Sequence, residues 1–475
     1  MKKLLKEKSN WIYVILLVGI TIRFAFYFFG AKIYFGSENL FSGDTFAWLS
    51  CIQNLIHHGT FTSDFSYADG MYFRPPGYSF FLMPFYFLSG FNVDTTYKIA
   101  QLAQIILDGI SIWLIYQVML FYSKRLDLAI LCSLLYCFYP FVIVWTPYLH
   151  AESPSVFFLL LSLYLLNQES KKYSIYLSGI ALGFSILLRL QILFVIPAIA
   201  IQLLLDKKLF KWNLNNRLLI YIIIATMTYS LWPIRNLMHG KLVITEELKN
   251  NTNWSEDTYN YMLYIWSVKT DHNPQFNQII NGQNVSWPKE SYLHEGDSLV
   301  LSNLAKKCYA CGRGFSNWKY SAGLVKKTIK ENNQCTKDIA DTFKRLRNEQ
   351  ITDNPVHFYL IVPLSNLKKA IFKDNVYAAK SPTVNLAISI LFFFRTILIA
   401  FGIIGIWLNY KYKLIPVNFC LMILLYAIFW YFTICFVFRN IEIRYLLIND
   451  VLLLIPASIT TIKLLEKLGF KINLS

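Results

Sequence analysis

Residues 43–78 read GDTFAWLSCIQNLIHHGTFTSDFSYADGMYFRPPGY and lie between a first hydrophobic segment and a much longer hydrophobic region. The stretch begins with an acid, Asp44, and ends with Arg74 before a pair of prolines. Most of the surrounding chain is apolar. Polar chemistry placed directly beside long apolar segments predicts a site at a membrane surface.

The composition of the 475-residue chain indicates a membrane protein. Hydrophobic residues make up 55% of it and charged residues only 15%, whereas a soluble domain carries about 25% charged residues. The formal net charge of +17 would suggest nucleic-acid binding in a soluble protein. Here many basic residues occupy short loops between apolar segments, as cytoplasmic loops of membrane proteins do. We therefore predict a multi-pass integral membrane protein whose partner is the lipid bilayer and not nucleic acid.

The hydrophobic pattern predicts an all-α polytopic membrane protein with about ten transmembrane helices. The predicted spans are roughly 11–29, 99–122, 128–145, 149–166, 173–188, 192–205, 218–232, 384–408, 414–438 and 445–464. Tyr78–Leu88 is apolar but about half as long as a bilayer requires. If it crossed the membrane, four basic loops would face outward against the positive-inside rule. These loops are Lys124-Arg125, Lys171-Lys172, Lys207–Arg217 and Lys411–Lys413. We therefore predict a surface or re-entrant helix that begins after Pro75-Pro76.

Three regions follow from this topology. Residues 1–235 form an N-terminal transmembrane catalytic module, whose first external loop spans residues 30–98 and carries juxtamembrane helices. Residues 236–382 form a mixed extracytoplasmic insert with an interfacial helix near residues 357–372. Residues 383–475 form a C-terminal transmembrane segment of three helices.

The insert carries cysteines and aromatic residues that allow two further predictions. Cys308, Cys311 and Cys335 allow one disulfide to Cys335 and leave one thiol over. The aromatic-rich part, residues 250–287, could stack on sugar rings. An ordinary capping loop is the alternative that we prefer for it.

The predicted topology brings seven ionisable residues from different loops to the external membrane boundary. They are Asp44, Arg74, Glu152, Arg189, Arg235, Arg439 and Arg444. Ionisable groups near hydrocarbon are costly, so they usually pair with one another or take part in function. Each arginine alone could be an interfacial anchor. Their common side of the membrane favours a single site.

These residues, in this order, resemble the GT-C superfamily of membrane glycosyltransferases. The matching features are Gly43-Asp44, Arg74–Tyr78, the acid in Tyr148–Glu152, Arg189, Trp232–Asn236 and Arg444–Leu446. The resemblance covers residues 1–240 and about 355–464. The nearest families are the bacterial aminoarabinose transferases of lipid A and the protein O-mannosyltransferases. The insert resembles no family.

The resemblance implies an inverting glycosyltransferase that moves a sugar from a polyprenyl-phosphate donor to an extracytoplasmic acceptor hydroxyl. The acceptor could be a lipid glycan, a cell-wall polymer or a protein. By the same resemblance Asp44 is the general base, and Glu152 holds the acceptor or assists the base. Some relatives carry a pair of acids at the first position, where this chain has Thr45.

Arginines suit the leaving phosphate, because their planar fork binds two oxygens at once. The resemblance makes Arg74, Arg235, Arg439 and Arg444 candidates for the donor phosphate, with Arg189 and Tyr78 as further site candidates. No cofactor is required by this chemistry and no metal-ligand set is predicted. A divalent ion held by Asp44 and Glu152 is the alternative. We expect the protein in the plasma membrane, with its active site on the extracytoplasmic side.

Two other functions fit the hydrophobic pattern, a secondary transporter and a polymer-assembly membrane protein without transferase activity. A transporter places its binding groups near the bilayer midplane, and Asp108 lies inside a predicted span. Alternatively, Asp108 is a hydrogen-bonded packing residue. Because the other candidates lie at the outer boundary, the glycosyltransferase is the preferred function.

Overall fold

The structure, a computed structural model, describes residues 10–65, 68–72, 74–168, 173–205, 217–244, 255–269, 271–326, 328, 333–372 and 382–470. Within these residues the chain forms helices joined by loops and contains no β-strand. The predicted all-α fold is therefore confirmed. The predicted cytoplasmic segments Lys171-Lys172 and most of Lys207–Arg217 lie outside the described residues.

The N-terminal half supplies the first part of a helical bundle and its outer loops. Its helices are α1 (Trp11–Ala25), α2 (Gly43–His58), α3 (Gly77–Leu88), α4 (Val93–Ser123), α5 (Leu126–Cys137), α6 (Pro140–Trp145), α7 (Glu152–Leu166), α8 (Ser174–Leu188), α9 (Val195–Leu205) and α10 (Arg217–Met238). Helix α1 continues through a π-helical turn, Phe26–Gly30, into Ala31–Phe35. Helix α3 is the short helix predicted after the two prolines.

The insert is a helical domain with its own apolar core. Its helices are α11 (Glu256–Val268), α12 (Asn273–Ile280), α13 (Asp297–Cys311), α14 (Arg313–Ser321), α15 (Asn333–Asp353) and α16 (Val362–Phe372). Helix α11 packs against α15, and the core between them contains Tyr261, Phe315 and Phe343. The prediction of a mixed insert is wrong for the part of the insert that the structure describes, because only helices are found there.

The cysteines and aromatic residues of the insert are mostly internal. A disulfide joins Cys311 at the end of α13 to Cys335 at the start of α15, while Cys308 is buried and free. This is the single disulfide to Cys335 that the sequence predicts. Tyr264 and Trp287 are buried in the insert core, so these two rings of the aromatic-rich part form no open platform for sugars.

The C-terminal segment completes the bundle with α17 (Pro382–Tyr412), α18 (Val417–Phe432) and α19 (Leu447–Lys467). Among the described residues, six helical segments are long and apolar enough to cross a membrane. They are Trp11–Phe35, Val93–Ser123, Arg217–Met238, Val384–Tyr412, Val417–Phe438 and Ile443–Lys467. The other four predicted spans are present as shorter helices, α5, α7, α8 and α9. The third predicted span is interrupted, because α5 ends at Cys137 and Pro140 begins the separate helix α6.

Helix α19 lies at the centre of the bundle, where it packs against α17, α5, α7 and α18. Its sequence is apolar around most of its circumference. In the most apolar 18 residues of the segment Ile443–Lys467, 89% are buried. A helix that is hydrophobic on all sides requires neighbours on all sides. Gly405 on α17 permits the closest approach, since a methyl group there would lie 1.8 Å from the backbone oxygen of Pro456.

Two buried ion pairs join helices inside the bundle. Arg23 on α1 donates to Asp108 on α4. Arg395 on α17 makes a two-pronged pair with Asp450 on α19, with N–O distances of 2.7 and 3.0 Å. Both arginines are fully buried. Asp108 is therefore a packing residue with a matched charge and not an open binding group at the midplane, which weighs against the transporter.

The Arg395–Asp450 pair predicts a large stability effect. The Arg395→Met variant is expected to lose about 3–5 kcal/mol of unfolding free energy, because Asp450 would keep its buried charge without its cationic partner. The double variant Arg395→Met/Asp450→Leu removes both charges and is expected to recover most of that loss. Thermal unfolding of the full chain in detergent measures the loss in the single variant and the recovery in the double variant. Arg345→Met is the surface control, because Arg345 is 55% exposed. Equal losses in the single and double variants would contradict the expectation.

Helix α16 docks the insert on the bundle. It follows a π-helical turn, His357–Ile361, and packs against α17. Arg395 donates to the carbonyl oxygen of Ala370, and Asn366 Nδ2 donates to the carbonyl oxygen of Cys435 at 3.2 Å. A helix therefore lies where the interfacial helix is predicted, and both polar contacts fix it to the membrane part.

Candidate active site

Asp44 is held at the start of α2 by contacts between two loops. It lies in the first helical turn, where the partial positive charge of the helix N-terminus favours a carboxylate. The hydroxyl of Thr45 accepts from the Ser42 N–H at 3.2 Å and donates to the carbonyl oxygen of Leu149 at 2.8 Å. Leu149 N–H in turn donates to the carbonyl oxygen of Leu40 at 2.8 Å. Thr45 thus anchors the loop that leads to Glu152.

The Arg74–Tyr78 segment brings a second part of the chain to Asp44. A methyl group at Gly77 would lie 2.4 Å from the backbone of Leu187 and Leu188, so the start of α3 packs directly on the end of α8. Arg74 Nη2 reaches Asp44 Oδ1 at 2.6 Å. At the end of α8, Arg189 follows directly and pairs with Glu152, the first residue of α7.

Arg444 links the two predicted acids. Its Nη2 lies 3.8 Å from Asp44 Oδ2, and its Nε lies 3.9 Å from Glu152 Oε1. Its Nε is also 2.5 Å from Glu442 Oε2. The structure therefore brings together five of the predicted site residues from five separate segments. They are Asp44, Arg74, Glu152, Arg189 and Arg444; we refer to these five as the charged cluster.

The charged cluster keeps its central acid ionised. Burial acts to raise the pKa of Asp44, but the charges of Arg74, Arg444 and Arg189 outweigh it and hold that pKa below its ordinary value. Asp44 is thus a carboxylate at neutral pH and can accept a proton.

Three residues that the sequence analysis did not select complete the cluster. Glu442 and Tyr445 flank Arg444 in sequence, and the Tyr445 hydroxyl donates to Glu442 Oε1 at 3.2 Å. The Tyr445 ring lies 5.1 Å from the guanidinium carbon of Arg444. The third residue, His150, comes two positions before Glu152. Proximity in sequence to a predicted residue is the one feature that could have selected all three.

His150 is a neutral hydrogen-bonding partner of Arg444. Arg444 Nη1 lies 2.8 Å from its Nε2 and 2.9 Å from its Nδ1, and the ring stacks on Tyr148 with a centroid distance of 4.8 Å. Burial and the charges of Arg444, Arg189 and Arg74 lower the pKa of His150 well below its ordinary value. An uncharged ring can lie against an arginine without repelling it.

Tyr78 lies behind the cluster and supports it. It is fully buried, and its hydroxyl donates to Gln104 Oε1 at 2.6 Å. Gln104 Nε2 donates to the carbonyl oxygens of Thr146 and Tyr148, each at 2.9 Å. Tyr78 therefore helps to hold the loop that carries His150 and leads to Glu152.

Two predicted arginines lie elsewhere. Arg235 donates to the carbonyl oxygens of Met71 at 2.7 Å and Phe61 at 2.8 Å. It therefore holds the loop between α2 and α3 in place. The guanidinium carbon of Arg439 lies 3.7 Å from the ring centroid of Phe358, next to the insert. The recorded contacts of these two arginines join neither of them to the charged cluster.

The charged cluster offers guanidinium groups and a buried carboxylate oxygen to a ligand. Among the described residues, no group of three His, Cys, Asp or Glu side chains lies close enough to hold a metal ion. Asp44 and Glu152 are each paired with arginine. Glu152 Oε2 is buried without a hydrogen-bond partner in the described part of the chain, so this oxygen can receive a donor from a bound substrate.

Comparison with solved structures shows which proteins share the fold of this chain. The archaeal oligosaccharyltransferase AglB from Archaeoglobus fulgidus, in complex with an inhibitory peptide and a dolichol-phosphate, is similar with a TM-score of 0.51 and 11% identity over 97% of this chain and 51% of that chain. The apo form of the Archaeoglobus fulgidus oligosaccharyltransferase gives a TM-score of 0.52 and 12% identity over 97% of this chain and 51% of that chain. The chain spans about half the length of these structures. The chain shares the fold of these structures, as its resemblance to the GT-C superfamily implies.

Part of the sequence matches a family model. Residues 74–232 match the model of the dolichyl-phosphate-mannose-protein mannosyltransferase family. This range contains Arg74, Glu152 and Arg189 of the charged cluster. No curated protein matches the sequence significantly.

Proposed function

We propose that the protein is an inverting glycosyltransferase that moves a sugar from a polyprenyl-phosphate donor to an acceptor hydroxyl. The observation that carries this proposal is the position of Arg444 between Asp44 and Glu152 at the end of the central bundle. A carboxylate and several guanidinium groups at one site support this reaction, which requires a proton acceptor and cations on the leaving phosphate. The family match and the fold agree with it.

The chemistry requires one displacement at the anomeric carbon. The oxygen of the acceptor hydroxyl forms a bond to that carbon on the face opposite the phosphate. The bond from the carbon to the phosphate oxygen breaks, and its electron pair remains on the lipid phosphate. The hydroxyl proton passes to the carboxylate of Asp44, and Glu152 positions the acceptor through its unpartnered oxygen.

The leaving phosphate is assigned to Arg74 and Arg444, with Arg189 beside them. Negative charge increases on the phosphate as the bond breaks, so fixed guanidinium groups stabilise the transition state more than the ground state. Arg235 is assigned the role of holding the first external loop, because its two terminal nitrogens already donate to the Met71 and Phe61 carbonyl oxygens. Arg439 remains a candidate for a more distant part of the donor.

The location follows from the same elements. The protein is a multi-pass membrane protein, and we assign the charged cluster to the extracytoplasmic side of the plasma membrane. The basic Lys124-Arg125 and Lys411–Lys413 loops favour this orientation. The Cys311–Cys335 disulfide supports an oxidising compartment for the insert. No cofactor is included in the proposal, and a divalent ion on Asp44 and Glu152 remains the alternative.

The proposal is tested with the full chain in membranes. Vesicles that contain the protein are incubated with a panel of radiolabelled polyprenyl-phosphate sugars, and label is followed from the lipid carrier into water-soluble, lipid-glycan and protein pools. Transfer is expected for at least one donor, with release of polyprenyl phosphate and inversion at the anomeric carbon. Vesicles without the protein are the control. Retention of label on every carrier, or accumulation of unreacted sugar inside the vesicles, would overturn the proposal.

A further inference from the structure

A groove of about 510 Å³ lies beside the start of α2 and has no role in the site described so far. Its volume falls in the range of sites for small organic ligands, about 300–1,000 Å³. The side chains that matter for its chemistry are Phe35, Phe41, Phe46, Tyr148, Ser37 and Asn39. Gly43, the residue before Asp44, also lines it. The groove therefore lies next to the residue proposed as general base.

Aromatic rings form much of the wall of the groove. Phe41 and Phe46 contact each other edge to face with a centroid distance of 5.3 Å. Phe35 and Tyr148 form a second pair with a centroid distance of 4.8 Å. Phe46 lines the groove and is 50% exposed, so part of its ring is accessible. Two aromatic pairs thus line one groove.

Polar side chains accompany these rings. Ser37 and Asn39 are exposed in the loop between α1 and α2, and Asn39 N–H donates to Ser37 Oγ at 3.0 Å. The hydroxyl and the amide can exchange hydrogen bonds with a ligand. A ligand that offers both apolar faces and a rim of hydroxyl groups would satisfy both parts of this lining.

The groove shares a wall with the charged cluster. Ser42, which also lines the groove, lies with its Oγ 3.2 Å from His150 Nε2. Tyr148 stacks on the same histidine with an interplanar angle of 8°. Burial raises the pKa of Tyr148, with Arg444 acting against this and Asp44 adding to it, so the phenol is within electrostatic reach of the base. A ligand in the groove can therefore extend towards Asp44.

We propose that this groove binds the acceptor and that the acceptor is a glycan, with a pyranose ring stacked on Phe46 and its neighbours. This inference rests on the proposed function and names the acceptor class. Sugar rings present C–H groups on one face, which the electron-rich faces of aromatic rings attract, and hydroxyl groups at the edge. Peptide recognition by backbone pairing needs a strand edge, and the described residues contain no strand.

The test uses saturation-transfer NMR with the full chain in nanodiscs. Aromatic protons of the protein are irradiated, and the signal is followed on three probes: methyl mannopyranoside, the disaccharide of N-acetylglucosamine, and a peptide rich in serine and threonine. Saturation is expected on the ring C–H protons of at least one saccharide and not on the peptide. The Phe46→Ala variant is expected to bind that saccharide about ten-fold more weakly than the wild type does. The Phe46→Tyr variant is expected to retain the wild-type affinity.

Controls separate binding from folding. Phe65→Ala removes an aromatic ring that is 58% exposed and that does not line the groove, so saccharide binding should be unchanged. Asn39→Ala removes a polar lining group from an exposed position and is expected to lower the affinity for the saccharide. This variant keeps the test valid even if Phe46→Ala proves unstable. Saturation of the peptide alone, no saturation of any saccharide, or equal binding by wild type and both groove variants would each overturn the inference.

The same experiment distinguishes this inference from the proposed function. The Asp44→Asn variant should bind the saccharide as the wild type does but transfer no sugar to it. Saccharide binding without transfer by the wild-type protein would refute the transferase and leave the groove assignment intact. Transfer to a peptide with no saccharide binding would refute the groove assignment and leave the transferase intact.

Discussion

Sugar transfer by the Asp44→Asn variant is expected to fall by about 10³-fold, because the amide cannot accept the proton of the attacking hydroxyl. The substitution preserves the shape of the side chain and keeps an oxygen that can accept from Arg74, which lies 2.6 Å from the carboxylate. The loss should therefore appear mainly in kcat. The measurement is release of labelled sugar from the polyprenyl-phosphate donor by the purified full chain.

Asp94→Asn is the matched control for Asp44→Asn. Asp94 is also an acid in the first turn of a helix, α4. Unlike Asp44, it is exposed and lies outside the charged cluster. Its variant should transfer sugar at the wild-type rate. If Asp44→Asn unfolds at the same temperature as the wild type yet retains more than a tenth of its activity, Asp44 is not the base.

The Arg444→Lys variant is expected to weaken donor use by about 10²-fold in kcat/KM, although it keeps the positive charge. Lysine is a point charge and cannot span several oxygens as a guanidinium does. Arg444 contacts Asp44, Glu152 and Glu442 through two of its nitrogens. An ammonium group can replace one of these contacts at a time, so the phosphate and the two acids would lose their common partner. Steady-state kinetics with varied donor concentration measures the loss.

Arg345→Lys provides the comparison for Arg444→Lys, since Arg345 pairs with Glu349 on the surface of the insert. Its kinetics should not change. Because Arg444 is nearly buried, unfolding temperatures of both variants are needed to separate lost folding from lost catalysis. A fully folded Arg444→Lys protein with kcat/KM within three-fold of the wild type would remove Arg444 from the phosphate site.

The sequence could predict the members of the charged cluster because each stands at a point where a hydrophobic segment meets a loop. Asp44, Arg74 and Glu152 all occupy such positions, and a common membrane side brings them together. Their hydrogen-bonding partners were harder to predict. His150 becomes a partner of Arg444 through the contact of two loops that are 294 residues apart, and no local pattern encodes that contact.

Charges inside the spans show a second limit of prediction from the sequence. Arg23, Arg395 and Asp450 all lie in predicted transmembrane segments, but only the packing order of the helices decides which acid each arginine meets. Arg235 shows the same limit at the membrane boundary. Its position resembles that of a phosphate ligand, yet Phe61 and Met71 each offer it a carbonyl oxygen. Non-local backbone geometry decided its partner.

The central helix α19 and the preceding Arg444 are synthesised after the other members of the charged cluster. This order has a consequence for biosynthesis. Domains generally fold as units from the N-terminus during synthesis, so Asp44, Arg74, Glu152 and Arg189 are synthesised long before Arg444 leaves the ribosome. A nascent chain that ends before Arg444 holds both acids without the arginine that joins them. In the proposed function Arg444 binds the leaving phosphate, so such a truncated chain is expected to transfer no sugar.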